Sequence, residues 1–504
     1  MDTNILNYLD QTENLYPKKV AFCDSEGGKI TFCDLKREVE RIGSYIINRV
    51  LCTNCPIVVL TERNIRSVSS FLGAVYSGNF YIPVDASLPE TRINEMLSAA
   101  SPVLIINCSD RKFESLGGDV VDYFEIFRND IKLVERKEVT NLSPLYGIFT
   151  SGSTGLPKLV VKNHLSLISF IEQYVELFGF NADDIQGNQI PFYFDASTKD
   201  LFTTIKTGCT TNIIAKGLFS QPGKLAQYLI DNAITSICWV PSALSMLSMF
   251  NVFAKIKPEQ IKRVLFVGEP MPAKQLNVWI KALPNARYIN LYGSTENAGN
   301  CLFYEINGEV DESKRIPIGK PFPNVKVFLL DEDNRLILPS QTDISGEICV
   351  SGDIVALGYY ADPELTARKF IQNPINKAYH ARSFKTGDVG KYDQDGNIVC
   401  LCRQDYQTKL NGCRIELGDI EVAAISLAGV NSACCIFDEE RKRIVLFYAS
   451  GEDVREKLIT HLKSKLPAYM LPAKYIYLPQ LPLNANGKIH RTKLKEMYDT
   501  NQVK

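Results

Sequence analysis

Short, nearly continuous apolar runs alternate along this chain with longer segments in which apolar residues recur every three or four positions. "PIVVL" (56–60), "PVLIIN" (102–107) and "LYGIFTS" (145–151) are separated by "LKREVERIGSYIINRV" (35–50), "IRSVSSFLGAVYSG" (65–78) and "TRINEMLSAA" (91–100). The short runs read as strands buried on both faces, and the periodic segments as helices covering them. Such alternation restricts the chain to α/β layers with largely parallel sheets. After about residue 320 the pattern changes: "VKVFLLDEDNRLIL", "GEICVSG" and "GYYADPELT" carry Asp, Asn and Gly turns between strands, as in an antiparallel β unit. From about 406 mixed strands and helices return, ending in a charged helix. The stretch "CRQDYQTKLNG" (402–412) reads as a linker, dividing the chain into 1–404 and 405–504. The fold class expected is α/β: a large N-terminal domain of stacked α/β sheets plus a β-rich subdomain, then a small mobile α+β C-terminal domain.

At 504 residues the chain exceeds one ordinary domain. Its net charge of −1 gives no electrostatic reason to expect nucleic acid or an anionic membrane as partner. The first residues show no basic segment followed by an apolar stretch, and no apolar run is long enough for a membrane span. A cytoplasmic protein is expected. The 14 cysteines are scattered, several in strand-like runs, so reduced and buried thiols are expected. Cys52 and Cys55 form a C-x-x-C with no second pair at zinc-finger spacing, and the four histidines are far apart.

One stretch carries chemistry on its own terms. In "FTSGSTGLPKLVVKN" (149–163) a Ser/Thr/Gly-rich loop follows an apolar strand and a lysine comes soon after. Glycines let successive backbone N–H groups face a phosphate, hydroxyls add donors, and Lys158 adds a mobile charge. The G-x-x-x-x-G-K-[ST] pattern does not fit, because Leu-Pro-Lys follows Gly155. Apolar residues flank the loop too closely for a flexible linker.

The string "FTSGSTGLPK" resembles the phosphate loop of the adenylate-forming enzymes: acyl-CoA synthetases, luciferases and amino-acid adenylation domains. The likeness continues in the family's order through "FLGAVYSGNFYIPVDASLPETRI", "FDAS", "NLYGSTEN", "GEICVSGDIVALGYYADPELTARKF", "FKTGDVG", "CRQDYQTKLNGCRIELGDIE", "LPAYMLP" and "NGKIHR". It covers nearly the whole chain, and is similar in detail to freestanding D-alanine–carrier protein ligases and single adenylation domains of nonribosomal peptide synthesis. The implied reaction joins a carboxylate to ATP, giving an acyl-adenylate and pyrophosphate, and then moves the acyl group to a thiol.

The resemblance implies roles residue by residue. Thr150, Ser151, Gly152, Ser153, Thr154, Gly155 and Lys158 would meet the phosphates of ATP. Glu296 in "YGSTE" matches the glutamate that holds Mg²⁺, chemically apt for a hard cation beside phosphates. Ser294 stands where the family usually has Pro. Tyr292 would stack on adenine, with Asn290, Gly293, Ser294 and Thr295 beside the nucleotide; Gly268 and Glu269 match the segment lining adenine and the substrate pocket. Asp388 in "KTGDVG" would take both ribose hydroxyls, and Arg403 a further nucleotide contact, although Cys402 replaces the usual Gly before it. Asp405 matches the hinge between domains. Lys488 in "NGKIHR" matches the lysine that reaches the carboxylate and α-phosphate, and Lys409 a position near the thiol channel.

Asp195 matches the aspartate that pairs with a substrate α-ammonium in amino-acid-activating members, a charge-assisted contact. Locally, "DASTKDLF" also reads as a helix start with Ser197 as N-cap and Asp200 three residues on. The pocket positions implied are Asp195, Ala196, Lys199, Cys238, Leu265, Val267, Leu291, Gly299 and Asn300, with Lys488. Lys199 has three readings: it meets an acidic side chain of the substrate, pairs with Asp200 or Asp195, or turns outward to leave a small apolar pocket. Lysine is rarely fully buried, and bulky Val267 and Leu291 suit a short substrate. A small amino acid, D-alanine first, is therefore expected, an acidic amino acid second, and an acyl- or aryl-CoA ligase as the alternative. With no carrier motif after "NGKIHRTKLKEMYDTNQVK", the phosphopantetheine-bearing carrier protein is expected to act in trans.

Overall fold

A computed structural model describes residues 3–25, 27–150, 157–376, 378–403, 407–482 and 489–500. The apolar runs form two large sheets. In the first, of seven strands, Pro56–Thr61 pairs in parallel with Phe80–Asp85 and with Leu104–Asn107. It turns antiparallel where Pro144–Thr150 meets Lys158–Asn163 and where the latter meets Gly358–Tyr359. In the second, of nine strands, a parallel centre includes Ile185–Asn188, Thr210–Ile213, Ser236–Trp239, Arg263–Val267 and Arg287–Tyr292, with antiparallel strands at both ends.

The periodic segments become the helices Phe32–Arg49, Ile65–Tyr76 and Glu90–Ala100. Thr31 and Asn64 cap the first two by accepting N–H bonds from Asp34 and Ser67, as N-cap side chains do. One large apolar core unites residues of both sheets with helices His164–Phe178 and Thr198–Thr207. The second face of the nine-stranded sheet packs on helices Pro222–Asp231, Pro241–Met249 and Ala273–Ala282, forming a separate core.

The texture change near 320 corresponds to an antiparallel six-stranded sheet drawn from residues 325–403. Beyond it, the hairpin Gln407–Leu410/Cys413–Glu416 and a three-stranded sheet carry helices Leu417–Ile425, Arg455–Lys465 and Arg491–Asp499. Residues from 413 onward supply almost all of two further apolar clusters. All 14 cysteines are free thiols; eight are buried as expected, Cys23, Cys33, Cys55 and Cys400 are half-buried, and Cys52 and Cys402 are exposed. Among the described residues no helix is long and apolar enough to cross a membrane.

Candidate functional site

The hairpin Pro144–Thr150/Lys158–Asn163 sets Thr150 directly opposite Lys158, and the Thr150 hydroxyl lies 3.4 Å from the Lys158 carbonyl. Both are half-buried at the loop end of the hairpin. Ser151, Gly152, Ser153, Thr154 and Gly155 of the loop between them lie outside the described residues, as do Asp405 and Lys488.

A second group forms where strand Arg287–Tyr292 of the nine-stranded sheet meets strand Arg382–Tyr392 of the antiparallel one. The buried Tyr292 hydroxyl donates to one oxygen of Asp388, and Arg403 Nη1 donates to the other at 2.6 Å. Burial and the neighbouring carboxylate push the Tyr292 hydroxyl well above its ordinary pKa, so it stays a donor. Asp388 is thus a fixed, almost buried anion with both oxygens oriented, able to receive a diol. Cys402 does not disturb this arrangement. It lies opposite Val389, beside a register shift in the strand pair, and is exposed to solvent. Asn290 is tied to the Pro317 carbonyl at 2.8 Å, and Lys409 is close enough for its charge to act on Cys301 and Cys400 beside this group.

Glu296 follows in the turn after Tyr292 and is buried, its Oε1 accepting from the Tyr359 hydroxyl at 2.8 Å. Ser294 accepts from Asn297 Nδ2 at 3.1 Å, closing the turn that the family usually closes with Pro. Among the described residues no three His, Cys, Asp or Glu side chains gather as a metal cluster. One buried carboxylate nevertheless fits Mg²⁺, which is held by one or two carboxylates together with substrate phosphates.

The third group holds the positions that the resemblance assigned to a substrate pocket. Parallel pairing sets Cys238 beside Leu265, Leu265 beside Ile289, and Val267 beside Leu291. Side chains alternate along strands, so these residues share one face of the sheet, and all belong to the large core. Gly299 closes the pocket with φ +68°, and a Cβ there would lie 2.3 Å from the Phe170 ring. That position accepts only glycine without rearrangement.

Asp195 has a partner that the sequence reading missed. Lys162, fully buried on strand Lys158–Asn163, places its ammonium on Asp195 Oδ1 and 4.7 Å from the Tyr146 ring centre. The Tyr146 hydroxyl donates to the same oxygen at 2.8 Å, and the Gly299 N–H reaches Oδ2 at 3.3 Å. Burial lowers the Lys162 pKa, while Asp195 and Glu296 oppose that shift. The signal was parity: Lys162 stands two residues after the core residue Val160, so both point to the same side of the strand.

Two further expectations are corrected. Ser197 is not a side-chain N-cap. It has helical φ/ψ at the end of a 3₁₀ turn, Asp195–Ser197, and its hydroxyl donates back to the Phe192 and Phe194 carbonyls. Lys199 does not turn outward, because helix Thr198–Thr207 is buried over its first eight residues and Lys199 is 0% exposed. Its Nζ makes no hydrogen bond to Asp195 or Asp200, although its charge acts on the Asp200 carboxyl.

Glu269 joins the two ends of the molecule. Its Oε2 accepts from the Ser242 N–H in the first turn of helix Pro241–Met249, which has no side-chain N-cap of its own. Its Oε1 accepts from the Gly412 N–H at 2.9 Å, at the tip of hairpin Gln407–Glu416, and Gly268 lies against that tip. Nearby, a cleft lined by Asp85, Phe149, Thr150 and Phe194 on one side and Tyr469 and Met470 on the other opens to solvent.

Comparison with known proteins accounts for this layout. The family model of the AMP-binding enzymes matches residues 9–360, and that of their C-terminal domain residues 419–488. The chain belongs to the AMP-binding enzyme family. It is 28% identical to the D-alanine--D-alanyl carrier protein ligase of Staphylococcus aureus, over 98% of this chain and 99% of that one. It is also 28% identical to tyrocidine synthase 1 of Brevibacillus parabrevis, over 98% of this chain, and spans 45% of that relative's length. Among solved structures, the Vibrio cholerae adenylation domain AlmE, in complex with glycyl-adenosine-5'-phosphate, aligns with a TM-score of 0.83. That match has 20% identity and covers 99% of this chain and 98% of the other. The AMP-binding enzyme is thus an adenylate-forming protein in fold and family, with a mixed α/β architecture of several sheets.

Proposed function

We propose that this AMP-binding enzyme is an amino acid–carrier protein ligase. It activates an amino acid with ATP as the aminoacyl-adenylate and passes it to the phosphopantetheine thiol of a separate carrier protein. The observation that carries the reading is the Tyr292–Asp388–Arg403 cluster, an oriented anion suited to a ribose diol, in a chain of this family. Asp388 holds the ribose and Arg403 fixes Asp388. Thr150 and Lys158 begin and end the loop that would bind the phosphates. Mg²⁺ held by Glu296 would neutralise phosphate charge.

The substrate carboxylate attacks the α-phosphorus in line and pyrophosphate leaves, so the protein's work is positioning and charge stabilisation. Lys488, delivered by residues 405–504 as a mobile domain turning about Asp405, stabilises the charge that grows on the oxygens. The arrangement in which Gly412 meets Glu269 is the one for thiol transfer. The cleft beside Thr150 is the acceptor's route, with Lys409 near it. The name of the D-alanine ligase relative supports an amino acid and a carrier.

Of the two grounds for a small substrate, the buried Lys199 side chain removes the outward-lysine one, and bulky Val267 and Leu291 remain. A second reading, an acyl- or aryl-CoA ligase, is favoured by one observation: Lys162 already occupies the charge of Asp195. ATP–pyrophosphate exchange tests both. Amino acids should support exchange and Lys488→Ala should abolish it in a folded protein. Exchange with aryl or fatty acids alone would overturn the first reading in favour of the second.

A further inference from the structure

Lys199 is a fully buried lysine whose Nζ has no hydrogen-bonded partner. Both nearby carboxylates are engaged elsewhere. Asp195, one turn earlier, gives Oδ1 to Lys162 and Tyr146 and Oδ2 to Gly299. Asp200 accepts from Asn188 Nδ2 at 2.8 Å; as the next helical residue it points about 100° away, and i,i+1 side chains do not face each other. Burial lifts the Asp200 carboxyl to about 6 while the charges of Lys199 and Arg63 oppose that shift, so near neutral pH Asp200 is still mostly ionised and acts on Lys199 without a hydrogen bond to it.

The atoms around Lys199 repeat its deficit. The Thr203 hydroxyl, four residues on and hence on the same helix face, is buried without a partner. So is the Tyr174 hydroxyl, which faces the Cys238 thiol, a weak acceptor, without a hydrogen bond of normal geometry. Lys199 acts electrostatically on that same thiol, which puts it against the pocket face formed by Cys238 and Leu265. Native proteins leave few buried polar atoms unsatisfied. Here an ammonium and two hydroxyls, all able to donate, share one region of the pocket. Lys162 and Asp195 pair with each other, and Asp200 offsets Lys199 only through space, with Arg63 drawing on the same carboxylate. An oxyanion would answer the unused donors directly.

We propose that the substrate supplies this oxyanion as a second carboxylate, received by Lys199, so that the class activated is an acidic α-amino acid. The inference rests on the amino-acid reading above and narrows it. The test is ATP–pyrophosphate exchange by the full chain with glutamate, aspartate, their amides, alanine and glutarate, using both enantiomers of each chiral compound. One acidic amino acid should exceed its own amide by about 100-fold or more, the scale for removing one partner of a buried charge pair. Lys199→Met should abolish that preference while the apparent Tm holds or rises. Should Lys199→Met fail to fold, the acid-to-amide ratio of the natural protein carries the test alone. Alanine exchanging as well as either acid, or an amide matching its acid, would overturn the assignment of Lys199. Glutarate exchanging while every amino acid fails would instead overturn the amino-acid reading. No exchange with any carboxylate would overturn the ligase reading itself.

Discussion

Lys162→Met leaves Asp195 as a nearly buried carboxylate whose remaining donors are one hydroxyl and one long backbone N–H. Removing one partner of a buried ion pair costs about 3–5 kcal/mol, because the other charge stays desolvated. The unfolding entropy of a cooperative unit of about 400 residues is roughly 0.8 kcal/mol/K, so a loss of ~4 kcal/mol lowers Tm by ~5 °C. Asp195→Asn alone should also destabilise, since Lys162 has no other described carboxylate in ion-pair contact. Replacing both ions by neutral groups of similar size is often close to neutral, so the double variant Lys162→Met/Asp195→Asn should regain most of the loss. The assay is a double-mutant cycle by thermal melting at fixed pH and salt, with exchange activity recorded beside it. The expected coupling is about 3 kcal/mol, at the upper end for contacting residues. Additive losses, or a single Lys162→Met loss below about 1 kcal/mol, would refute the internal pair as a structural unit.

His164 gives a pH signature. It is buried at the start of helix His164–Phe178, its Nδ1 accepts the Ile5 N–H at 3.1 Å, and burial, with Arg136 nearby, lowers its pKa to about 4. The folded pKa lies below the unfolded value of about 6.5, so its contribution is full above 6.5 and is lost as pH falls towards 4. That loss amounts to roughly 3 kcal/mol, and His164→Asn should flatten it in melts across that window. Asp388→Asn should raise KM for ATP by about 10- to 100-fold, the scale of a hydrogen bond to a charged group, with a smaller effect on kcat; an unchanged KM would sink its ribose role. Gly412→Ala puts a Cβ 2.3 Å from Val240 Cγ1 at φ +78°. Thiol transfer should fall while pyrophosphate exchange persists, checked by assaying the two half-reactions separately.

The large architecture was legible because buried strands and amphipathic helices carry different periods, as in "PIVVL" and "IRSVSSFLGAVYSG". Four of the positions implied by resemblance, Cys238, Leu265, Val267 and Leu291, fall on one sheet face because pairing register preserves parity. Lys162 and Lys199 were harder to place, since a lysine is by default a solvated charge. "LVVKN" looks like a strand reaching water, and "TKDLFTTIKT" like a helix with a polar face. Parity with Val160 puts Lys162 on the core side of its strand, but the burial of Lys199 depends on what the rest of the chain stacks over it, which local pattern does not encode. The Ser197 cap failed for a local reason: a 3₁₀ turn runs straight into the helix, so no extended residue precedes it.

The alternation of strands Ser236–Trp239 and Arg263–Val267 has a consequence for descent. Cys238, Leu265 and Val267 face the large core, on the side that the proposed reading gives to the substrate, while Ile237, Trp239, Val264 and Phe266, one residue away, anchor the other core. Two cores are thus written in interleaved letters of the same short words. A lineage that revises every second letter repacks one core and leaves the letters of the other untouched.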